Sequence, residues 1–171
     1  MSAALLKRLR DEYGALHDTL PQSVIDSGRR RAAIETLCSQ GLPATREENW
    51  RYANLRMLER ARFAPCAATT ILPDLPAPLP GFSRYVFIDG VRYAPSADAP
   101  HAGTSVHSLR SGGGGATADL PPIPALPESR LALLNEAFAT DAAAIRVQAH
   151  AEAQRIELVF VASTAGQAGA S

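Results

Sequence analysis

Apolar residues in the first twenty positions recur at Leu5, Leu9, Tyr13, Leu16 and Leu20. That spacing lays a single apolar stripe along an amphipathic helix. Gly14 weakens the helix through its backbone freedom, and Pro21, which has no N–H to donate, ends or redirects it. The pattern predicts a second helix over Ser27 to Gln40, with Ala33, Ile34, Leu37 and Cys38 inward. Gly41 stands where a left-handed C-terminal cap falls, and Pro43 follows it.

The stretch "GLPATREENWRY" (Gly41–Tyr52) comes next. Thr45 and Glu48 form a T-x-x-E pattern, in which the hydroxyl accepts an N–H from the new helix while the glutamate reaches back to the cap. A short helix is therefore expected just after Thr45, carrying Trp50, the only tryptophan. Trp50 and Tyr52, two apart, cannot share a helix face. A base-stacking platform would need several aromatics on one surface in a basic groove. We read Trp50 as an anchor seating the short helix on the domain, with an interface residue as the competing reading.

Between Phe63 and Gly81 the periodicity is lost. Prolines at 65, 73, 76, 78 and 80 deny the segment regular hydrogen bonding, so an extended connector is expected. "SRYVFIDGVRYAPS" (Ser83–Ser96) carries two apolar runs around Asp89-Gly90, a dipeptide suited to a tight turn. It predicts a hairpin of Tyr85–Ile88 and Val91–Ala94. Residues 97–126, with the glycines of "SGGGG" (Ser111–Gly115), read as a flexible loop. A phosphate loop would need a following Lys-Ser or Lys-Thr and a strand-to-helix setting, and neither is there.

"LPESRLALLNEAFATD" (Leu126–Asp141) is helical, with Pro127 and Glu128 suited to its start and Leu131, Leu134 and Phe138 on one face. Ala143–Val147 and Arg155–Ser163 read as strands. The second has Ile156, Leu158 and Phe160 on one side and Glu157, Val159 and Val161 on the other, so cover is expected on both faces. Its edges would lie open unless more chain pairs with them, which suggests a protein continuing past Ser171. The expected organisation is an N-terminal helical region (1–62), a Pro-rich connector (63–81), a hairpin (82–96), a flexible loop (97–126), a helix with two strands (127–163) and a disordered tail (164–171).

Charge changes this picture little. The 171 residues hold 17 basic and 17 acidic side chains, so no bulk attraction to nucleic acid or anionic membrane is expected. "GRRR" reads as a solvated helix face at Arg29–Arg31. The start lacks the apolar stretch of a signal peptide, and no run is long enough to span a bilayer, so the cytoplasm is the expected compartment. Cys38 and Cys66 make no CxxC motif; Cys38 suits core packing and Cys66 an exposed thiol. His101 and His107 are near each other in the loop, but no histidine has metal-ligand spacing to a cysteine. Glu47 and Glu48, being adjacent, point apart on a helix. No catalytic, cofactor-binding or metal site is predicted from the residues alone. Gly41, Pro43, Thr45, Glu48, Trp50 and Tyr52 stand out as a structural motif.

"GLPATREENWRYANLRML" resembles the "GLPT-x-R-x-E-x-W-[RK]-Y-T-x-L" signature of SufD-type proteins, in the SufB/SufD family of SUF iron–sulfur cluster assembly scaffolds. The matching residues are Gly41, Leu42, Pro43, Arg46, Glu48, Trp50, Arg51, Tyr52 and Leu55. "YVFIDGVRY" is similar to the family's "FVNGRY" segment. "LALLNEAFATDAAAIRVQAHAEAQRIELVFVAS" is similar to its entry into the central fold. The three occur in the family's order. Ala44 and Ala53 depart from it where threonine is frequent.

The resemblance implies an α+β chain: a helical region, a small hairpin, then the first strands of a truncated right-handed parallel β-helix. It implies a non-enzymatic scaffold subunit of a SufBCD-like complex. Its partners would be a SufB-like paralogue and a SufC-like ATPase, engaged mainly beyond Ser171. ATP would belong to the ATPase and the iron–sulfur cluster to the complex, with no cofactor bound by this chain. The alternatives are a stand-alone protein-binding module, or a thiol- or metal-dependent enzyme using Cys66 or His107.

Overall fold

A computed structural model describes residues 3–53, 58, 74–93, 103–110 and 121–162. The predicted segment 54–57, most of the 63–81 connector, Ala94, Cys66, His101, the "SGGGG" run and the tail lie outside the described residues. Within them the chain is a mixed α+β fold. Its helices are α1 (Ala3–Leu16), α2 (Ser27–Gln40) and α3 (Arg130–Phe138). Its strands are β1 (Ser83–Ile88), β2 (Val91–Arg92), β3 (Thr104–Ser108), β4 (Ala143–Val147) and β5 (Ile156–Val161). No helix among the described residues is long and apolar enough to cross a membrane.

The apolar stripe of α1 packs inward at four of its five positions, Leu16 being only half-buried. Leu5, Leu9 and Tyr13 are buried, and a 3₁₀ turn at His17–Thr19 brings Leu20 into the same core. α2 begins at Ser27 because the Asp26 carboxylate caps it, accepting the Arg29 N–H at 2.9 Å. It ends at Gly41, whose N–H donates to the Leu37 carbonyl at 2.8 Å. Gly41 has φ 76° but ψ 169°, so it leaves the helix through an extended conformation open to glycine rather than a left-handed helical cap. Ala33, Ile34 and Leu37 meet Leu133, Leu134 and Ala137 of α3 in the main core.

Arg30 corrects the reading of "GRRR" as a solvated face. It has no exposed surface, and all five guanidinium N–H groups are directed at carbonyls. Nε donates to Ile25 at 2.8 Å. Nη1 donates to Ala137 at 3.1 Å and Glu136 at 3.4 Å; Nη2 donates to Ala139 at 2.9 Å and Pro21 at 3.0 Å. The side chain thus satisfies the C-terminal carbonyls of α3 and those of the α1–α2 connection together. Arg29 is also engaged, its Nε donating to the buried Glu136 carboxylate at 2.8 Å. Only Arg31 lies exposed.

The hairpin forms where its sequence predicts. Asp89 (φ 51°) and Gly90 (φ 79°) both take positive φ, the two-residue turn whose twist matches antiparallel strands. β1 is the centre of a three-stranded sheet ordered β2-β1-β5, with β5 parallel to it. Arg84 and Glu157 are directly opposite in that pairing and approach to 3.2 Å.

The expected 97–126 loop contains a strand. β3 pairs antiparallel with β4 over five residues, from Thr104↔Val147 to Ser108↔Ala143. "TSVHS" offers one apolar residue, Val106, so alternation alone does not reveal it. Tertiary contact supplies the rest: Val106 packs against Tyr85 and Phe87 of β1, joining the two sheets. Asp141 ties the same joint. Its carboxylate accepts from Ser108 Oγ (2.8 Å) and from the N–H groups of Arg92 (3.0 Å), Arg110 (3.1 Å) and Ala142 (2.7 Å).

β5 is not covered on both faces as expected. Phe160 is 69 % exposed and Leu158 39 %, although Phe160 stacks on Phe87 with centroids 5.1 Å apart.

Arg30→Met keeps much of the side-chain bulk but removes every donor, leaving the carbonyls of Ile25, Glu136, Ala137 and Ala139 without it and that of Pro21 with the Val24 N–H. Stability is expected to fall by about 3 kcal/mol or more. Urea unfolding reads this directly; an unchanged midpoint would show that the carbonyls find other donors.

Candidate functional site

Two features stand apart from ordinary core: a cleft beside the Gly41–Tyr52 motif, and an uncovered apolar strip along the two sheets.

The cleft follows from how the chain leaves α2. Leu42 and Pro43 turn inward and are buried. The chain then reverses in a turn closed by the Glu47 N–H donating to the Ala44 carbonyl at 2.9 Å, with Thr45 and Arg46 as its central pair. The Glu47 carboxylate holds this turn from the other side. Its Oε1 accepts the Ala44 N–H at 2.9 Å, and its Oε2 pairs with Arg130 Nη2. Arg130 is buried at the start of α3 and donates through Nε to the Pro127 carbonyl at 2.7 Å. The space between this turn, Leu6 and the end of α2 is a cleft of about 430 Å³.

The predicted Thr45/Glu48 capping box is replaced by a different pairing. The glutamate that reaches back is Glu47, to Ala44, and the expected helix is a single 3₁₀ turn, Glu48–Trp50. The T-x-x-E pattern did not distinguish two adjacent glutamates. Glu47 wins because Arg130, 83 residues away in sequence, supplies a cation on its side. Gly41 and Thr45 line the cleft; Pro43 is fully buried beside them. Glu48, Trp50 and Tyr52 are not part of its wall. Trp50 is half-buried and Tyr52 is 93 % exposed, so the structure does not gather the two aromatics with the glycine and threonine.

Glu47 is held below its ordinary carboxylate range. The hydrogen bond from Arg130 is the main cause, the Ala44 N–H adds to it, and partial desolvation opposes both. Arg46 adds a further positive charge nearby. Among the described residues that line the cleft, Arg130 and Arg46 against Glu47 leave one net positive charge.

The apolar strip arises from strand parity. Tyr85, Phe87 and Val106 fill the space between the sheets. Leu158 and Phe160 lie opposite Tyr85 and Phe87 in the β1–β5 register, and Ile145 and Val147 lie opposite Val106 and Thr104 in the β3–β4 register. All four therefore continue the inward faces, yet they are exposed, Val147 by 65 %. β5 and β4 are the outer strands of their sheets, so among the described residues each has an unpaired edge beside this strip.

No group of three or more His, Cys, Asp or Glu side chains able to hold a metal occurs among the described residues. Cys38 is a half-buried thiol 3.9 Å from the Leu6 carbonyl, and His107 is exposed on β3. Arg130 and Asp141 stand in no motif of the sequence, and Arg30 stands in "GRRR". For Arg30 a signal existed: it precedes Ala33, Ile34 and Leu37 by 3, 4 and 7 positions, on the buried stripe of α2. No protein-family model matches the chain, and no curated protein matches it.

A carboxylate whose affinity for its proton is lowered by folding stabilises above its unfolded value, near 4.5, and that contribution is lost as pH falls through the folded value. Glu47→Gln keeps an acceptor for Ala44 but removes the charge facing Arg130. The variant is expected to melt lower than the parent at pH 7, with the gap closing as the pH falls below 4.5. A gap independent of pH would remove the ion pair as its cause.

Proposed function

We propose that the chain is the N-terminal portion of a SufD-like scaffold subunit in an iron–sulfur cluster assembly complex, working through protein contacts rather than catalysis. The observation that carries this reading is the apolar strip of Ile145, Val147, Leu158 and Phe160 beside the unpaired edges of β4 and β5. Two sheets with their inner faces extended past their own strands offer a template for further strands. Another coil laid on β4 and β5 would pair both edges and bury all four side chains, the manner in which a right-handed parallel β-helix grows. The parallel pairing of β5 on β1 is compatible with a first step of that kind. The ordered resemblance of three sequence segments supports the same family.

On this reading the helical region and the hairpin form the entry to the β-helix. The SufB-like paralogue and the SufC-like ATPase are engaged by regions beyond Ser171. The cluster is cargo of the complex, ATP is consumed by the ATPase subunit, and the chain holds no cofactor of its own. Its place of action is the cytoplasm.

Two measurements test the proposal. The full natural reading frame, co-expressed with SufB-like and SufC-like partners, is expected to co-elute with them in size-exclusion chromatography; separate elution would end the scaffold reading. In the same protein Phe160→Ala is expected to cost about 3–5 kcal/mol, as for a buried aromatic. A cost within about 0.5 kcal/mol would mean that Phe160 remains at the surface, as in a stand-alone binding module.

A further inference from the structure

The cleft beside Gly41–Glu47 plays no part in the scaffold reading, and its chemistry is specific. We propose that it binds the C-terminal carboxylate of a peptide chain whose last side chain is apolar.

Arg130 is the first reason. Its side chain is only 6 % exposed, yet only two of its three nitrogens are used: Nε on the Pro127 carbonyl and Nη2 on Glu47. Nη1 has no partner among the described residues and is not sealed from solvent. A guanidinium that lines a cleft, held in place by two contacts and with a third nitrogen unpartnered among the described residues, is a preorganised anion donor. Arg46 is the second reason. It lines the same cleft, is exposed, and makes no ion pair among the described residues.

Among the described residues Glu47 is the one acidic side chain on the wall, and both its oxygens are occupied, by Ala44 N–H and by Arg130. It fixes Arg130 without cancelling both cations. The amides of Thr45 and Arg46, central in the turn, also have no acceptor among the described residues. Two charged donors with neighbouring backbone N–H groups form the kind of site that captures a chain-terminal carboxylate. Leu6 and Leu42 supply an apolar wall for the last side chain. At about 430 Å³ the space is within the range of small-ligand sites.

The probe is acetyl-Ala-Leu with a free C-terminus, titrated into the protein and followed by amide and arginine side-chain NMR shifts. Its C-terminal amide is the first control. A second peptide, amidated at its end but with an internal aspartate, asks whether any carboxylate suffices. Saturable shifts at Thr45, Arg46 and Arg130 are expected with the free acid and not with either control. Arg46→Ala is expected to weaken binding about tenfold, the loss of one hydrogen bond to a charged group, with no change in melting temperature. Equal response to acid and amide, no response to any peptide, or unchanged affinity in Arg46→Ala would each overturn the proposal. Binding of the aspartate peptide as tightly as the free acid would overturn the assignment to a chain terminus. None of these outcomes depends on co-elution with assembly partners.

Discussion

The helical half of the molecule is organised around one buried cation. Arg30 reaches five carbonyls from two segments, and among the described residues no carboxylate pairs with it in return. Burial lowers its hold on its proton, Tyr13, Asp26 and Glu136 oppose this only in part, and an arginine stays charged. The cost of desolvating the guanidinium is met by peptide dipoles, those at the end of α3 being aligned with their negative ends toward it. Lysine could not substitute: it has three donors and no planar fork. Of the same carbonyls, those of Glu136 and Ala137 lie in the buried interior and would lose their donor there, whereas that of Pro21 keeps the Val24 N–H. Arg30 therefore sets where α3 stops relative to α2, and with it the point from which the chain enters β4.

The sheet half depends on an equivalent device of opposite sign. Asp141 follows α3 by three residues and collects donors from β2, from the end of β3 and from its own linker. One carboxylate thereby fixes the angle between two small sheets whose shared core is only a few side chains. Arg92 assists, donating to the Val106 carbonyl at 3.3 Å and lying 5.3 Å from the centre of the Tyr85 ring. With so few apolar residues between the sheets, directional bonds carry much of the specification of geometry.

Helices and turns were the legible part of the chain. The end of α2 follows Gly41, and the hairpin follows Asp89-Gly90, because a local φ requirement is written in adjacent residues. β3 was not legible, since its single apolar side chain is justified only by β1 on the far side of the core. The site was legible in part. "GLPATRE" marked a turn, but the choice between Glu47 and Glu48 is made by Arg130, and no local rule reaches that far. Arg30 shows the opposite case: its place on the α2 stripe was visible, but its charge outweighed its position in the reading.

The parallel partnership of β1 and β5 has a consequence for how the protein is made. Ser83 of β1 is matched to Ile156 of β5, so about seventy residues of synthesis separate the two strands. At ribosomal rates of about 5–20 residues per second, β1 spends on the order of 4–15 s with one edge bare after it has been made. During that interval "YVFI", with Tyr85 and Phe87 also lacking Val106 until β3 emerges, is an adhesive segment on a nascent chain. The tight Asp89-Gly90 turn gives it β2 at once, which shields the Phe87–Ile88 end of the other edge. The hairpin acts as a temporary guard, protecting the strand on which the rest of the sheet is later built.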